Sequence, residues 1–322
     1  MRAHCYDYPF ILIVLFILSC CSNGNENESL QAPVPLADPF ILLYEDTYYA
    51  YGTFSDEGIA VFTSDDLITW KRSPQLALHK ENSWGERWFW APEVYYIEAK
   101  NTFHMYYSAD EHICVAVSAS PLGPFVQEKK EPMIQGEKSI DNTLFIDEDG
   151  TPYLYFDRFN DGLNVWVAEL DNDFQTIDSS TLVKCIHVSQ PWEEVWPRVN
   201  EGAFVIKYKD LYYMTYSANS YESPFYGIGY ATATSPKGPW KKYDKNPILQ
   251  KPDSLVGVGH SSLFRDKDNR LRIAFHAHHS VREIHPRLMY ISDVYFSDED
   301  IPVMTVGKEI LRPVQADHTN SK

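Results

Sequence analysis

Ala37-Asp38-Pro39-Phe40-Ile41-Leu42-Leu43-Tyr44-Glu45-Asp46-Thr47-Tyr48-Tyr49-Ala50-Tyr51 is the stretch whose reading decides the fold. A polar residue opens an apolar segment, an acidic turn follows, and an aromatic strand starts about ten residues after the opener. The same order recurs four times. Glu93 opens Ala91-Pro92-Glu93-Val94-Tyr95 ahead of Phe103-His104-Met105-Tyr106-Tyr107, and Asp141 opens Ile140-Asp141-Asn142-Thr143-Leu144 ahead of Tyr153-Leu154-Tyr155-Phe156. Glu201 opens Asn200-Glu201-Gly202-Ala203-Phe204 ahead of Tyr212-Tyr213-Met214-Thr215-Tyr216, and His260 opens Gly259-His260-Ser261-Ser262-Leu263 ahead of Leu271-Arg272-Ile273-Ala274-Phe275. A repeat of roughly 50 to 60 residues is the mark of stacked or radial β units.

Working outward, each pair of segments is joined by Asp, Asn, Lys or Gly, the turn chemistry of hairpins. A third strand follows in each unit, for example Leu163-Asn164-Val165-Trp166-Val167-Ala168. Two units then close alike, with Ser120-Pro121-Leu122-Gly123-Pro124-Phe125 and Ser235-Pro236-Lys237-Gly238-Pro239-Trp240. No long stretch has a helical period. The expected fold is all-β, a five-bladed β-propeller of four-stranded antiparallel blades. A two-sheet sandwich would leave five matching starts unexplained. In a propeller the first strand of each blade lines the channel, so the five openers should converge at one end of it. Val303 to Val314 has two places open to it, a last strand or a contact with the first blade.

The bulk numbers bound the function. With 322 residues and 44% apolar side chains, one large β domain with a full core is affordable. A formal net charge of -17 repels phosphate backbones, so no nucleic-acid partner is expected, while neutral ligands remain open and the abundant Tyr and Trp suit stacking against sugar faces. Arg2, the apolar run Pro9 to Leu18 and the ending Leu18-Ser19-Cys20-Cys21 have signal-peptide form and resemble a bacterial lipoprotein signal. The expected organisation is a signal peptide over 1–20, a flexible tether over 21–34, a catalytic domain over 35–315 and a tail over 316–322. Cys20 is the expected lipidation site, with Cys21 as the alternative. The protein would then be a membrane-anchored lipoprotein of the bacterial cell envelope, periplasmic or on the surface. Cys114 and Cys185 read as two buried thiols rather than a disulfide.

Two carboxyls held across a pocket can act as acid and base in glycoside hydrolysis, and a third beside the acid would disfavour its ionisation. Asp38, Asp141 and Glu201 supply three at matching starts. Trp90 offers an apolar face for a sugar ring, and Glu93 a partner for a sugar hydroxyl. His260 belongs to the same ring of openers. His276, His278 and His279 invite a zinc reading, but no second ligand motif completes it.

The segments Ala37-Asp38-Pro39, Trp90-Ala91-Pro92-Glu93-Val94, Ser139-Ile140-Asp141 and Asn200-Glu201-Gly202 resemble those of glycoside hydrolase family 43, from about Pro35 to near Phe296. The resemblance implies a five-bladed propeller and an inverting hydrolase of arabinose-, xylose- or galactose-containing glycans. It implies Asp38 as general base, Glu201 as general acid, and Asp141 as the group that tunes and orients the acid. It also implies an arginine reaching the acid or the substrate, for which Arg287 and Arg282 compete. No cofactor is required, although a calcium ion in the channel near His260 occurs in the family. Relatives often have Gly-Pro after the acid where this chain has Gly202-Ala203. The expected activity is α-L-arabinofuranosidase or β-xylosidase. Endo-arabinanase, a galactan-active hydrolase and a non-catalytic glycan-binding lipoprotein are the alternatives. Loops from Ser83 to Trp90, Gln190 to Val199 and Ser220 to Tyr226 would decide the pocket's shape.

Overall fold

The computed structural model describes Met1, residues 31–196 and residues 198–316. The signal peptide, Cys20, Cys21 and the first part of the tether lie outside the described residues. Pro33 and Val34 belong to the fold: Val34 is fully buried, and Pro33 bridges Val314.

Five antiparallel meanders follow in chain order. The first is Ala37–Tyr44, Thr47–Thr53, Val61–Ser64 and Thr69–Arg72; the second is Trp90–Ile97, Thr102–Ala109 and His112–Ser118. The third is Ser139–Ile146, Pro152–Phe159, Leu163–Leu170 and Ile177–Ile186. The fourth is Asn200–Tyr208, Leu211–Ala218, Gly227–Ala233 and Lys241–Lys242, and the fifth Gly259–Arg265, Leu271–Ala277, Leu288–Phe296 and Met304–Leu311. The five first strands pack side by side and the last returns to the first, so the meanders close into a ring of five blades. This is the expected propeller. It departs from the expectation in blade two, which has three strands. Its outer edge is reduced to one bridge, Val117 with Val126, in which each residue donates its N–H to the other's carbonyl at 3.0 Å. Pro121, Pro124 and Pro132 cannot donate to a ladder, so the segment around them forms none.

Local chemistry sets the elements. Glu45 and Asp46 both adopt left-handed backbone, φ 47° and 63°, and make a two-residue hairpin between Tyr44 and Thr47. Asp110 and Glu111 do the same at 47° and 59° between Ala109 and His112. The Ser-Pro-x-Gly-Pro turns also gain a purpose. Buried Tyr51 donates its hydroxyl to the Pro121 carbonyl of the next blade, and Tyr155 donates to Pro236 O at 2.7 Å. Tyr213 donates to Pro302 O at 2.7 Å in the same manner. Each tyrosine fills an inter-blade core with its ring and satisfies its polar tip on the neighbour.

Both places open to the C-terminal segment are taken. Met304–Leu311 is the outer strand of blade five, and Val314–Gln315 pairs in parallel with Thr69–Arg72 of blade one. Cys114 is buried, Cys185 is half-buried, and both are free thiols.

Candidate active site

Every first strand breaks register near its start. The ladder skips from Ala37 to Phe40, Trp90 to Glu93, Ile140 to Thr143, Glu201 to Phe204 and Gly259 to Ser262. Each is a β-bulge, two residues facing one, which re-aims a side chain. The first bulged residue has left-handed backbone in all five: Asp38 at φ 49°, Ala91 at 43°, Asp141 at 55°, Gly202 at 59° and His260 at 47°. Asp38, Asp141 and His260 are therefore true structural equivalents. Glu201 stands one residue before its bulge and Glu93 just after its own, so the five polar openers are not in register as the sequence spacing suggests.

A closed belt of hydrogen bonds holds these bulges. The N–H of Ala91 donates to Thr53 Oγ1 at 3.0 Å, Asp141 to Ser108 Oγ at 3.1 Å and Gly202 to Asp157 Oδ2 at 2.9 Å. His260 donates to Ser217 Oγ at 2.7 Å, and Asp38 to His276 Nδ1 at 3.1 Å. Each acceptor belongs to the second strand of the preceding blade, opposite the residue before that blade's bulge.

A cavity of about 470 Å³ opens over the belt, lined by Asp38, Asp141, Glu201, His260, Arg287 and Trp90 among others. Six predicted site residues thus share one cavity. Glu93 does not line it. Glu93 is buried and accepts a hydrogen bond from the Tyr95 hydroxyl, and burial pushes its carboxyl up to about 8. Between the two candidate arginines, Arg287 reaches the site, while Arg282 is exposed. Of the three loops, 83–90 contributes Trp90 and 220–226 contributes Tyr221 and Tyr226. Among its described residues, the loop 190–199 lends the cavity none.

Asp38 is gripped by its neighbours. Arg287 donates from Nη1 to Oδ1 at 2.8 Å and from Nη2 to Oδ2 at 3.2 Å, and Thr53 donates to Oδ2 at 2.6 Å. Burial by itself would raise this carboxyl. The Arg287 guanidinium, with His260 behind it, outweighs burial and holds Asp38 well below the usual range. Burial then pushes His276 down to about 3, so its ring is neutral. Because Nδ1 accepts the Asp38 N–H, the ring hydrogen sits on Nε2, and the 3.3 Å approach of Arg287 Nη1 to Nε2 is packing, not a hydrogen bond.

The other two carboxyls move the opposite way. Glu201 opens to the cavity and accepts the Tyr226 hydroxyl on Oε1 at 2.6 Å; burial lifts it to about 7 against that hydrogen bond. Asp141 is held well above the carboxylate range by burial and then by the charges of Glu201 and Asp38. His260 Nδ1 stands between them, 3.4 Å from Asp38 Oδ1 and 3.7 Å from Asp141 Oδ2. One cavity therefore presents an ionised carboxylate beside a carboxyl pair that retains a proton near neutrality, the requirement for combined base and acid catalysis.

Trp90 is backed by Trp88, stacked at 5.6 Å and 18°, with Arg87 over the outer ring at 4.0 Å. Tyr221 lies under the Arg287 guanidinium at 4.6 Å. Sequence reasoning missed Thr53, Tyr221, Tyr226 and His276. His276 had a signal in its membership of the histidine cluster, Tyr221 and Tyr226 had one in their place on the loop 220–226, and Thr53 had none.

Among the described residues no group of three or more His, Cys, Asp or Glu side chains is arranged to hold a metal. The calcium that the family resemblance allows near His260 does not fit these residues, because Arg287 already occupies both Asp38 oxygens with a positive charge. Zinc fares no better: His276 Nδ1 is committed to Asp38, His278 Nε2 meets Tyr221 O at 2.7 Å, and His279 is exposed.

Comparison with known proteins gives the family. A family model described as glycosyl hydrolases family 43 matches residues 32–302. The beta-D-galactofuranosidase xynD of Aspergillus niger (strain ATCC MYA-4892 / CBS 513.88 / FGSC A1513) is 28% identical over 295 residues, covering 83% of this chain and 82% of its own length. The arabinoxylan arabinofuranohydrolase of Bacillus subtilis (strain 168) is 25% identical over 325 residues, 80% of this chain, which spans only 60% of that relative. A crystal structure of an endo-1,4-beta-xylanase from Bacteroides thetaiotaomicron VPI-5482 superposes with a TM-score of 0.85 at 48% identity, covering 89% of this chain and 99% of that one.

Proposed function

The chain belongs to glycosyl hydrolase family 43 and is a glycosidase; from that premise we propose that it hydrolyses arabinose- or xylose-containing plant glycans with inversion, as an α-L-arabinofuranosidase or β-xylosidase. The observation that carries the reading is the opposed tuning of two carboxyls in one cavity. Arg287 holds Asp38 ionised, and burial keeps Glu201 protonated up to about 7. Asp38 then takes a proton from a water that attacks the anomeric carbon, and Glu201 gives one to the departing glycosidic oxygen. Asp141 acts on Glu201 by proximity, because two buried carboxyls cannot both ionise cheaply in that space. Trp90 supplies the apolar face for a sugar ring, and Arg287 orients Asp38. Endo-arabinanase or galactan-active hydrolysis is the second reading; the galactofuranosidase relative favours keeping galactose in view.

We also propose that Cys20 is lipidated and anchors the protein in the cell envelope. The support is the order Leu18-Ser19-Cys20-Cys21 after an apolar run. The deciding experiment is release from a panel of aryl arabinofuranosides, xylosides and galactosides, with the first product anomer followed by NMR. Inverted product is expected, and Asp38→Asn and Glu201→Gln should lose about a hundredfold or more in kcat while keeping the native melting curve. Retained configuration, or unchanged turnover in either variant, overturns the assignment.

A further inference from the structure

Four members of the hydrogen-bond belt use a neutral acceptor: Thr53, Ser108, Ser217 and His276. The fifth uses a carboxyl. Asp157 has no exposure, accepts the Gly202 N–H on Oδ2 at 2.9 Å, and leaves Oδ1 without a partner among the described residues. An ionised carboxylate with a single hydrogen bond and no cation is among the most expensive groups to bury. The cheap state is the neutral acid, and burial, followed by the charges of Asp141 and Glu201, pushes it that way.

Its position links it to the reacting groups. Asp157 pairs across the sheet with Ile140, the residue before Asp141. The N–H that it holds belongs to the peptide joining Glu201 to Gly202. Gly202 has no side chain with which to pack its left-handed bulge, whereas the other four bulged residues each carry a Cβ. A glycine in this setting is the residue most free to leave its conformation, so that one hydrogen bond carries more of the geometry here than in the other blades.

We propose that Asp157 is a positioning residue for the general acid, a buried neutral carboxyl that grips the Glu201–Gly202 peptide and so fixes the direction in which the Glu201 side chain meets the leaving oxygen. The proposal rests on the reading of Glu201 as the acid. It requires a hydrogen-bond acceptor at position 157 but no charge there.

The test measures kcat on two aryl glycosides of one sugar, a phenyl glycoside that needs protonation of its leaving group and a dinitrophenyl glycoside that does not. Asp157→Val should lower kcat about 10-fold or more on the phenyl substrate and less than about 3-fold on the dinitrophenyl substrate, with KM nearly unchanged. Asp157→Asn and Asp157→Ser keep an acceptor and should stay within about 3-fold of wild type on both. Equal loss on both substrates in the Val variant, or no loss on either, overturns the proposal. So does a failure of both acceptor variants to sustain phenyl-glycoside turnover, and this arm decides the matter if melting shows that the Val variant does not fold. Glu201→Gln serves as the control. If it lowers both substrates alike, the acid assignment has failed; if it spares only the dinitrophenyl substrate and the Asp157 variants do not follow, only the positioning role has failed.

Discussion

Gly202 shows how closely the site residues constrain one another. Its backbone, at φ 59°, is the one that Asp38, Asp141 and His260 adopt with side chains, so the left-handed turn alone does not demand glycine. The demand comes from His260: a Cβ on Gly202 would stand 3.0 Å from Cγ and Nδ1 of that ring. Gly202→Ala is therefore predicted to fold, at a backbone cost of about 1–2 kcal/mol. It should push the His260 ring off its place between Asp38 and Asp141. Such displacements cost catalysis heavily, and a kcat loss of about 10-fold or more is expected. Wild-type kcat with a lowered melting temperature would show that the ring's place is immaterial to turnover. At this scale the carboxyls were legible because each interrupts an apolar segment. Their partners were not: Arg287 meets Asp38 across 249 residues, and His276 meets it across 238. Nothing local in the chain marks either pairing.

The elements explain what spacing could and could not convey. Hairpin chemistry and strand alternation made five meanders readable, and the paired Ser-Pro-x-Gly-Pro turns reported a real structural equivalence. The bulges were invisible, because a bulge changes which residues face each other without changing composition. Aligning polar letters therefore treated Glu93 and Glu201 as equivalents of Asp38, when they flank the bulge on opposite sides. The short strand Val314–Gln315 was legible only as one of two choices. It closes the ring by donating Val314 N–H to Ile68 O at 2.9 Å, and the adjoining Ala316 N–H reaches Trp70 O at 2.8 Å. Proline at 314 would remove the first donor from a two-residue ladder. Val314→Pro should cost about 1–3 kcal/mol of stability and leave kcat intact below the melting transition, since the strand lies on the blade's outer edge. An unchanged denaturation midpoint would show that closure there adds nothing.

For the whole molecule, the buried acids and histidines set how stability varies with pH. Burial first, with neighbouring charges helping at Asp141, Asp157 and Glu201, raises four carboxyls, Glu93 to about 8 and Glu201 to about 7. Burial also lowers His104, His260, His276 and His278 from 6.5. Between about 4.5 and 6.5 the native state holds protons that the unfolded acids release, while the unfolded histidines hold protons that the native ones refuse. The two groups oppose each other through this window. Above 6.5 the unfolded histidines lose their remaining protons, their opposition fades, and the acids come to dominate. A raised acid stabilises the fold while protonated, so stability must fall as pH climbs from 6.5 towards about 8. Lys242, lowered to about 8 by burial, begins to release its proton in the upper part of that window and opposes the decline there without cancelling it. Denaturant unfolding at pH 6.5, 7.2 and 8.0 should show a declining free energy. Glu93→Gln stays neutral in both states, so it should remove one proton's share of that slope, about 1.4 kcal/mol per pH unit at most. The slope is the test, because Gln at 93 shifts the overall level for packing reasons at every pH. An identical slope in the variant would mean that Glu93 already ionises in the native protein below pH 6.5, and the buried acid beside Tyr95 would not be the proton store that its surroundings imply.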